Sequence, residues 1–108
     1  MGSHAGNIPF SRSLAYNVSK GGINYLSKCL VKELYENKIC INTIAPGFIE
    51  TNWHDGRSKE SYEIINKKIA AGRFGSVKEV ADMTYSVLKN NYVNGSILEI
   101  HGGYNFNY

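Results

Sequence analysis

The run Ile39-Cys40-Ile41-Asn42-Thr43-Ile44-Ala45, stopped by Pro46-Gly47, constrains the fold of this chain more than any other stretch. It is short, rich in β-branched residues and mostly apolar, as expected of a parallel strand buried on both faces. An amphipathic segment follows from about Ser58 to Ala71, with Tyr62, Ile65 and Ile69 on one side. Ser76-Val77-Lys78-Glu79 is a capping-box signature, and it predicts a helix to about Leu88. Val77, Val80, Ala81, Val87 and Leu88 form the expected buried face of that helix. Ser96 to Ile100 reads as a second short strand, leading into Gly102-Gly103 and a polar aromatic tail.

Upstream, residues 1–12 read as loop, with Gly6-Asn7-Ile8-Pro9 breaking any regular element. A long helix is predicted from about Ser13 to Asn37, where Ile23, Leu26, Leu30 and Leu34 recur at three- and four-residue steps as an apolar stripe. Gly21-Gly22 interrupts it at about 1 kcal/mol per glycine relative to alanine. Either the helix ends at Lys20, or a backbone or ligand approaches too closely for a side chain. A two-stranded sheet is a thin platform for three helices. Partial folding or tight self-association is therefore part of the expectation.

The chemistry of the chain centres on Tyr16-Asn17-Val18-Ser19-Lys20. Four-residue spacing puts the phenol and the amine on one helix face, about 5–6 Å apart at the Cβ atoms. A free tyrosine ionises near pH ~10 and is a poor proton-transfer group at neutral pH, but an adjacent ammonium favours the phenolate. Such a pair can act as general acid and base between a carbonyl and an alcohol. Taken alone, the spacing also arises by chance on solvated helix faces.

Length and composition narrow the field. At 108 residues the chain is one domain at most, with ordinary globular proportions of 43% apolar and 19% charged residues. No apolar run approaches the ~20 residues of a membrane span, and the N-terminus has no secretory core, so a cytoplasmic location is expected. The net charge of +3 is spread among acids, as in Lys28, Lys32, Glu33, Glu36 and Lys38, with no basic stripe for nucleic acid. Cys29 and Cys40 read as reduced core thiols. His4, His54 and His101 are scattered without metal-like spacing, so no metal site is expected.

Several motifs in order extend this reading. Ser3 lies upstream of Tyr16 and is followed by Ala5-Gly6. After the apolar run come Pro46-Gly47-Phe48-Ile49-Glu50-Thr51, Gly72-Arg73-Phe74-Gly75, Glu79-Val80-Ala81 and Val93-Asn94-Gly95-Ser96-Ile97-Leu98-Glu99-Ile100-His101-Gly102-Gly103. In this order and spacing the chain resembles the C-terminal half of the short-chain dehydrogenase/reductase family, and within it the bacterial β-ketoacyl-[acyl carrier protein] reductase-like members. The resemblance covers essentially the whole chain.

It implies an α/β fold, the C-terminal part of a Rossmann-like doubly wound parallel sheet with about two strands and three helices. It also implies one partial domain over residues 1–108, with a mobile substrate loop at 52–72. The family's glycine-rich dinucleotide-binding turn after the first strand has no counterpart here. The asparagine that completes its catalytic tetrad is missing too. The sequence accordingly reads as a truncated chain, a split gene product or an engineered piece.

Carried over by position, the resemblance makes Tyr16 the proton donor to a carbonyl, or the base in the reverse direction. Lys20 would support Tyr16 and hold the ribose hydroxyls of NAD or NADP. Ser3 would hydrogen-bond the substrate oxygen, an oxyanion-hole-like role; Met1-Gly2-Ser3-His4 also matches an expression-tag remnant. Pro46, Gly47, Ile49 and Thr51 resemble the segment that meets nicotinamide and phosphate, where a turn with free amides adjoins a strand end; a plain strand-to-helix turn is the other reading. Trp53, His54 and Arg57 are the distinctive side chains of the substrate loop, or of an exposed loop. His101 stands where relatives often carry aspartate, and reads as structural.

The implied function is NAD(P)-dependent hydride transfer between nicotinamide and a carbonyl or alcohol substrate. Relatives suggest a homo-oligomer, dimer or tetramer. The alternative is a catalytically inactive remnant serving as an oligomerisation or interaction module.

Overall fold

The computed structural model describes residues 1–9, 13–104 and 106. The loop reading for residues 10–12 and the tail reading for 105, 107 and 108 lie outside them. Among the described residues the order is a short 3-10 turn at His4–Gly6, helix α1 (Leu14–Tyr35), strand β1 (Thr43–Pro46), a second 3-10 turn (Asn52–His54), α2 (Lys59–Asn66), α3 (Val77–Leu88) and strand β2 (Ile97–Ile100). The expected loop at the start of the chain is thus partly helical.

β1 and β2 pair in parallel, Thr43 opposite Ile97 and Pro46 opposite Ile100. Parallel neighbours need a long crossover, and α2 and α3 provide it. The ladder begins later than the apolar run suggests, because side-chain amides bind the backbone ahead of it. Asn94 Oδ1 accepts from Ile41 N at 2.9 Å, and Asn42 Oδ1 accepts from Ser96 N at 3.0 Å. Ile39 is consequently outside the sheet and exposed.

α1 starts at Ser13, whose Oγ accepts from Tyr16 N at 3.4 Å. It runs through Gly21-Gly22 without ending at Lys20. A Cβ on Gly21 would sit 3.3 Å from Gly6 O, whereas Gly22 faces open space. Close backbone approach therefore accounts for one glycine of the pair. The helix covers only part of its apolar stripe: Leu30 and Leu34 are half-buried. Ile23 and Leu26 are exposed, while Asn24 and Ser27 are buried. The His4–Gly6 turn packs along this side and hydrogen-bonds to Asn24, so the polar face turns inward.

α3 has both bonds of its capping box: Ser76 Oγ accepts from Glu79 N at 3.2 Å, and Ser76 N donates to Glu79 Oε2 at 2.7 Å. Arg73 grips the same carboxylate at 3.0 and 2.7 Å, and these contacts pull the Glu79 carboxyl down to about 2. The expected buried face is only partly realised. Val80 and Val87 are half-buried, while Val77, Ala81 and Leu88 are exposed, because no described element covers that side.

The core lies beyond the carboxyl ends of the two strands. Ile69, Phe74 and Tyr104 are buried there, with Ile8, Phe48, Tyr62 and Ile65 packed against them. Segment 52–72 carries α2, within the expected amphipathic stretch, and contributes Ile69 to the core, with Tyr62 and Ile65 against it. Cys29 is exposed and Cys40 half-buried, both free, so neither is a core thiol. The radius of gyration is 15.1 Å, against about 13 Å for a compact chain of this length. No helix among the described residues is long and apolar enough to cross a membrane.

Candidate functional site

Ser3 is held by groups on two elements. Gly2 N donates to Ile44 O at 2.8 Å, which carries the first residues along the free edge of β1. Asn24 then clamps Ser3 from α1: its Oδ1 accepts from Ser3 N at 3.2 Å, and its Nδ2 donates to Ser3 O at 2.7 Å. The same Nδ2 donates to Asn7 Oδ1 at 2.8 Å. The clamp requires glycine on either side. A Cβ on Gly2 would meet Asn24 Oδ1 at 1.9 Å, and one on Gly6 would meet the Lys20 backbone at 2.5 Å. Residues 2–5 are buried as a result. Ser3 Oγ accepts from Ala5 N at 3.2 Å, which leaves its hydroxyl proton free to donate.

Tyr16 and Lys20 share one side of α1, with Lys20 Nζ 5.7 Å from the centre of the Tyr16 ring. Asn24 follows Lys20 by one turn, so the helix that presents the phenol and the amine also fixes Ser3. Lys20 Nζ reaches Met1 O at 3.5 Å, which occupies one of its three donors. Tyr16 is 40% exposed, and its ring borders an open cleft.

That cleft, about 790 Å³, brings together nine of the ten residues singled out in the sequence: Ser3, Tyr16, Lys20, Pro46, Gly47, Ile49, Thr51, Trp53 and His54. Arg57 is the one left out; its Nη1 donates to Ser61 Oγ at 3.0 Å on α2. Trp53 is almost fully exposed. His54 is buried, its ring 5.1 Å from Phe74 and 5.9 Å from Phe48. Burial and the nearby Arg57 charge lower its pKa, so it packs as a neutral aromatic ring.

The Pro46–Thr51 turn offers fewer free amides than expected. Gly47 N donates to Ile100 O at 2.9 Å and Glu50 N to Gly75 O at 2.8 Å. Gly47 is required because a Cβ there would meet His101 Cβ at 2.6 Å.

Two features escaped the sequence reading. Asn24 carries no local signal, since an asparagine inside a helix ordinarily reads as solvated. The histidines look scattered along the chain, yet His4 and His101 stack with ring centres 4.1 Å apart. Glu99 Oε1 lies 2.6 Å from His4 Nδ1. Burial raises the Glu99 pKa, but hydrogen bonds from Asn7 and His4 outweigh it and leave the carboxyl below its ordinary value. His101 is lowered by burial and by the His4 charge.

Comparison with known proteins fits this geometry. The family model described as Enoyl-(Acyl carrier protein) reductase matches residues 1–105. A 3-oxoacyl-[acyl-carrier-protein] reductase of Bos taurus is 38% identical over 103 residues, covering 95% of this chain and 42% of the bovine protein. The crystal structure of 3-hydroxyacyl-CoA dehydrogenase type-2 from Mycobacterium avium superposes with a TM-score of 0.90 at 29% identity, covering 95% of this chain and 40% of the other. A short-chain dehydrogenase/reductase from Serratia marcescens gives a TM-score of 0.85 at 25% identity, with 96% and 43% covered. This chain thus spans about two-fifths of the length of its relatives, and over that span it belongs to the short-chain dehydrogenase/reductase family.

Proposed function

We propose that the cleft serves NAD(P)-dependent interconversion of a carbonyl and an alcohol, with Tyr16 as the proton donor and acceptor. The observation that carries this reading is the convergence of Ser3, Tyr16, Lys20 and the Pro46–Thr51 turn on one open cavity of about 790 Å³. Tyr16 gives its phenolic proton to the carbonyl oxygen in reduction and takes it back in oxidation. Ser3 donates its free hydroxyl proton to the same oxygen and steadies the charge that develops there. Lys20 stabilises the negative charge left on Tyr16 and has donors to spare for ribose hydroxyls. Pro46, Gly47, Ile49 and Thr51 form the wall against which a nicotinamide would lie, and Trp53 borders the substrate side. A bound nicotinamide supplies or accepts the hydride. Relatives named as 3-oxoacyl-[acyl-carrier-protein] reductase and 3-hydroxyacyl-CoA dehydrogenase suggest a carbonyl or hydroxyl group on an acyl chain.

The uncovered apolar side of α1, with Leu14, Val18, Tyr25 and Leu26 exposed, supports self-association of the chain. Light scattering tests it directly. A monomer at all accessible concentrations would refute that part.

The catalytic reading is tested by titrating the chain with NADPH and NADH through nicotinamide fluorescence, then assaying 3-oxoacyl substrates with wild type and Tyr16→Phe. Saturable binding, with turnover lost in Tyr16→Phe and cofactor binding kept, is expected. Full turnover in Tyr16→Phe would exclude Tyr16 as the proton donor.

A further inference from the structure

We infer that His4, Glu99 and His101 form a binding site for a divalent first-row transition-metal ion, Zn²⁺ suiting the donor set best. One ligand atom from each of the three residues lies within 4.8 Å of the other two. Two imidazoles with one carboxylate is a zinc donor set, and it leaves a fourth position for water. The inference is independent of the hydride-transfer reading.

The fold builds this constellation from long-range parts. Glu99 and His101 flank Ile100 at the end of β2, and side chains two apart on a strand project to one face. His4 is brought over that face by the Gly2–Ile44 and Ser3–Asn24 hydrogen bonds. Gly47, beside His101, has no side chain to compete for the space.

The occupancy of the donor atoms points to a missing ligand. His4 is only 7% exposed, and its Nδ1 is engaged with Glu99 at 2.6 Å. Its Nε2 is buried and has no hydrogen-bond partner among the described residues. A buried polar atom without a partner costs free energy that a metal bond would recover. His101 Nδ1 accepts from Tyr104 N at 3.1 Å, but the same N–H also reaches His101 O at 3.1 Å. That amide keeps a partner if the His101 ring turns toward an ion. The Asn7 side chain, which hydrogen-bonds Glu99, would orient the carboxylate from outside the ligand shell.

The scale is also compatible. Around tetrahedral Zn²⁺, with bonds of about 2.0–2.2 Å, ligand atoms stand about 3.4 Å apart. A triangle of at most 4.8 Å closes to that size by modest side-chain rotation. The ion would tie residue 4 to residues 99–101 and so fix the turn that carries Ser3.

The test uses the full metal-free chain, with Co²⁺ as a spectroscopic probe and Zn²⁺ as competitor. Expected are a saturable one-to-one visible absorption for low-coordinate Co²⁺, its displacement by Zn²⁺, and a chelator-reversible rise in thermal stability. At free Zn²⁺ 100 times Kd, the folding equilibrium constant should rise about 100-fold. Glu99→Gln and His101→Asn alter side chains outside the buried core, and circular dichroism checks that each variant folds. Each should weaken Zn²⁺ binding by more than about 10-fold, beyond the lower end of the effect of losing an outer-shell partner. A folded wild type with no saturable Co²⁺ spectrum would overturn the inference, leaving a plain histidine–carboxylate pair. Equal Zn²⁺ affinity in wild type and the two folded variants would overturn it too, by locating the ion elsewhere.

Discussion

Replacing Asn24 with alanine removes the amide that joins the Ser3 segment to α1. Three hydrogen bonds go at once: those to Ser3 N, to Ser3 O and to Asn7 Oδ1. Asn7 is exposed and can bond water instead, so its loss is small. Ser3 is buried; its C=O also accepts from Gly6 N at 3.0 Å and stays paired, so the N–H is the backbone group left stranded. Each buried backbone group left unpaired costs about 1–3 kcal/mol, and a water entering the polar gap would offset part of it. With one group stranded, the net expectation is about 1–3 kcal/mol, a sizeable share of the 5–15 kcal/mol typical of a whole domain. Urea unfolding followed by far-ultraviolet circular dichroism reads this as a lower midpoint at unchanged slope. Ser27→Ala is the control. Ser27 is as deeply buried on the same face, but its hydroxyl only donates to Asn24 O at 3.3 Å, so its removal strands no backbone group of another element. If Asn24→Ala lowers stability no more than Ser27→Ala, the amide is not what holds Ser3 in place.

Two other perturbations test neighbouring parts of the argument. Gly6→Ala drives a Cβ to 2.5 Å from the Lys20 backbone, so the turn carrying Ser3 must lift off α1; thermal unfolding should fall by several degrees, and an unchanged midpoint would refute the tight contact. For Glu79, the folded carboxyl is pulled from 4.5 to about 2, chiefly by the Arg73 hydrogen bond. A depressed carboxyl stabilises the fold above its ordinary value and loses that contribution as pH falls through the folded one. Wild type should therefore lose more stability than Glu79→Gln between pH 4.5 and 2, and parallel acid slopes would count against the capping network.

What the sequence determined by itself is local. The Ser76–Glu79 capping box needs only residues three apart, and both its bonds form. The Tyr16–Lys20 pair follows from helical spacing, and the parallel strands from two short apolar runs. Nine of the ten chosen residues reach one cleft because the family's motif order carries their placement. Arg57 does not reach it, since α2 captures its side chain.

The tertiary structure decided which faces are buried. Periodicity identifies an apolar stripe on α1, but packing of the His4–Gly6 turn put Asn24 and Ser27 inside and left Ile23 and Leu26 out. The His4–Glu99 contact joins residues 95 apart in the chain. No spacing rule reports such a meeting, because side-chain periodicity describes one element, whereas burial and donor geometry depend on the element packed against it.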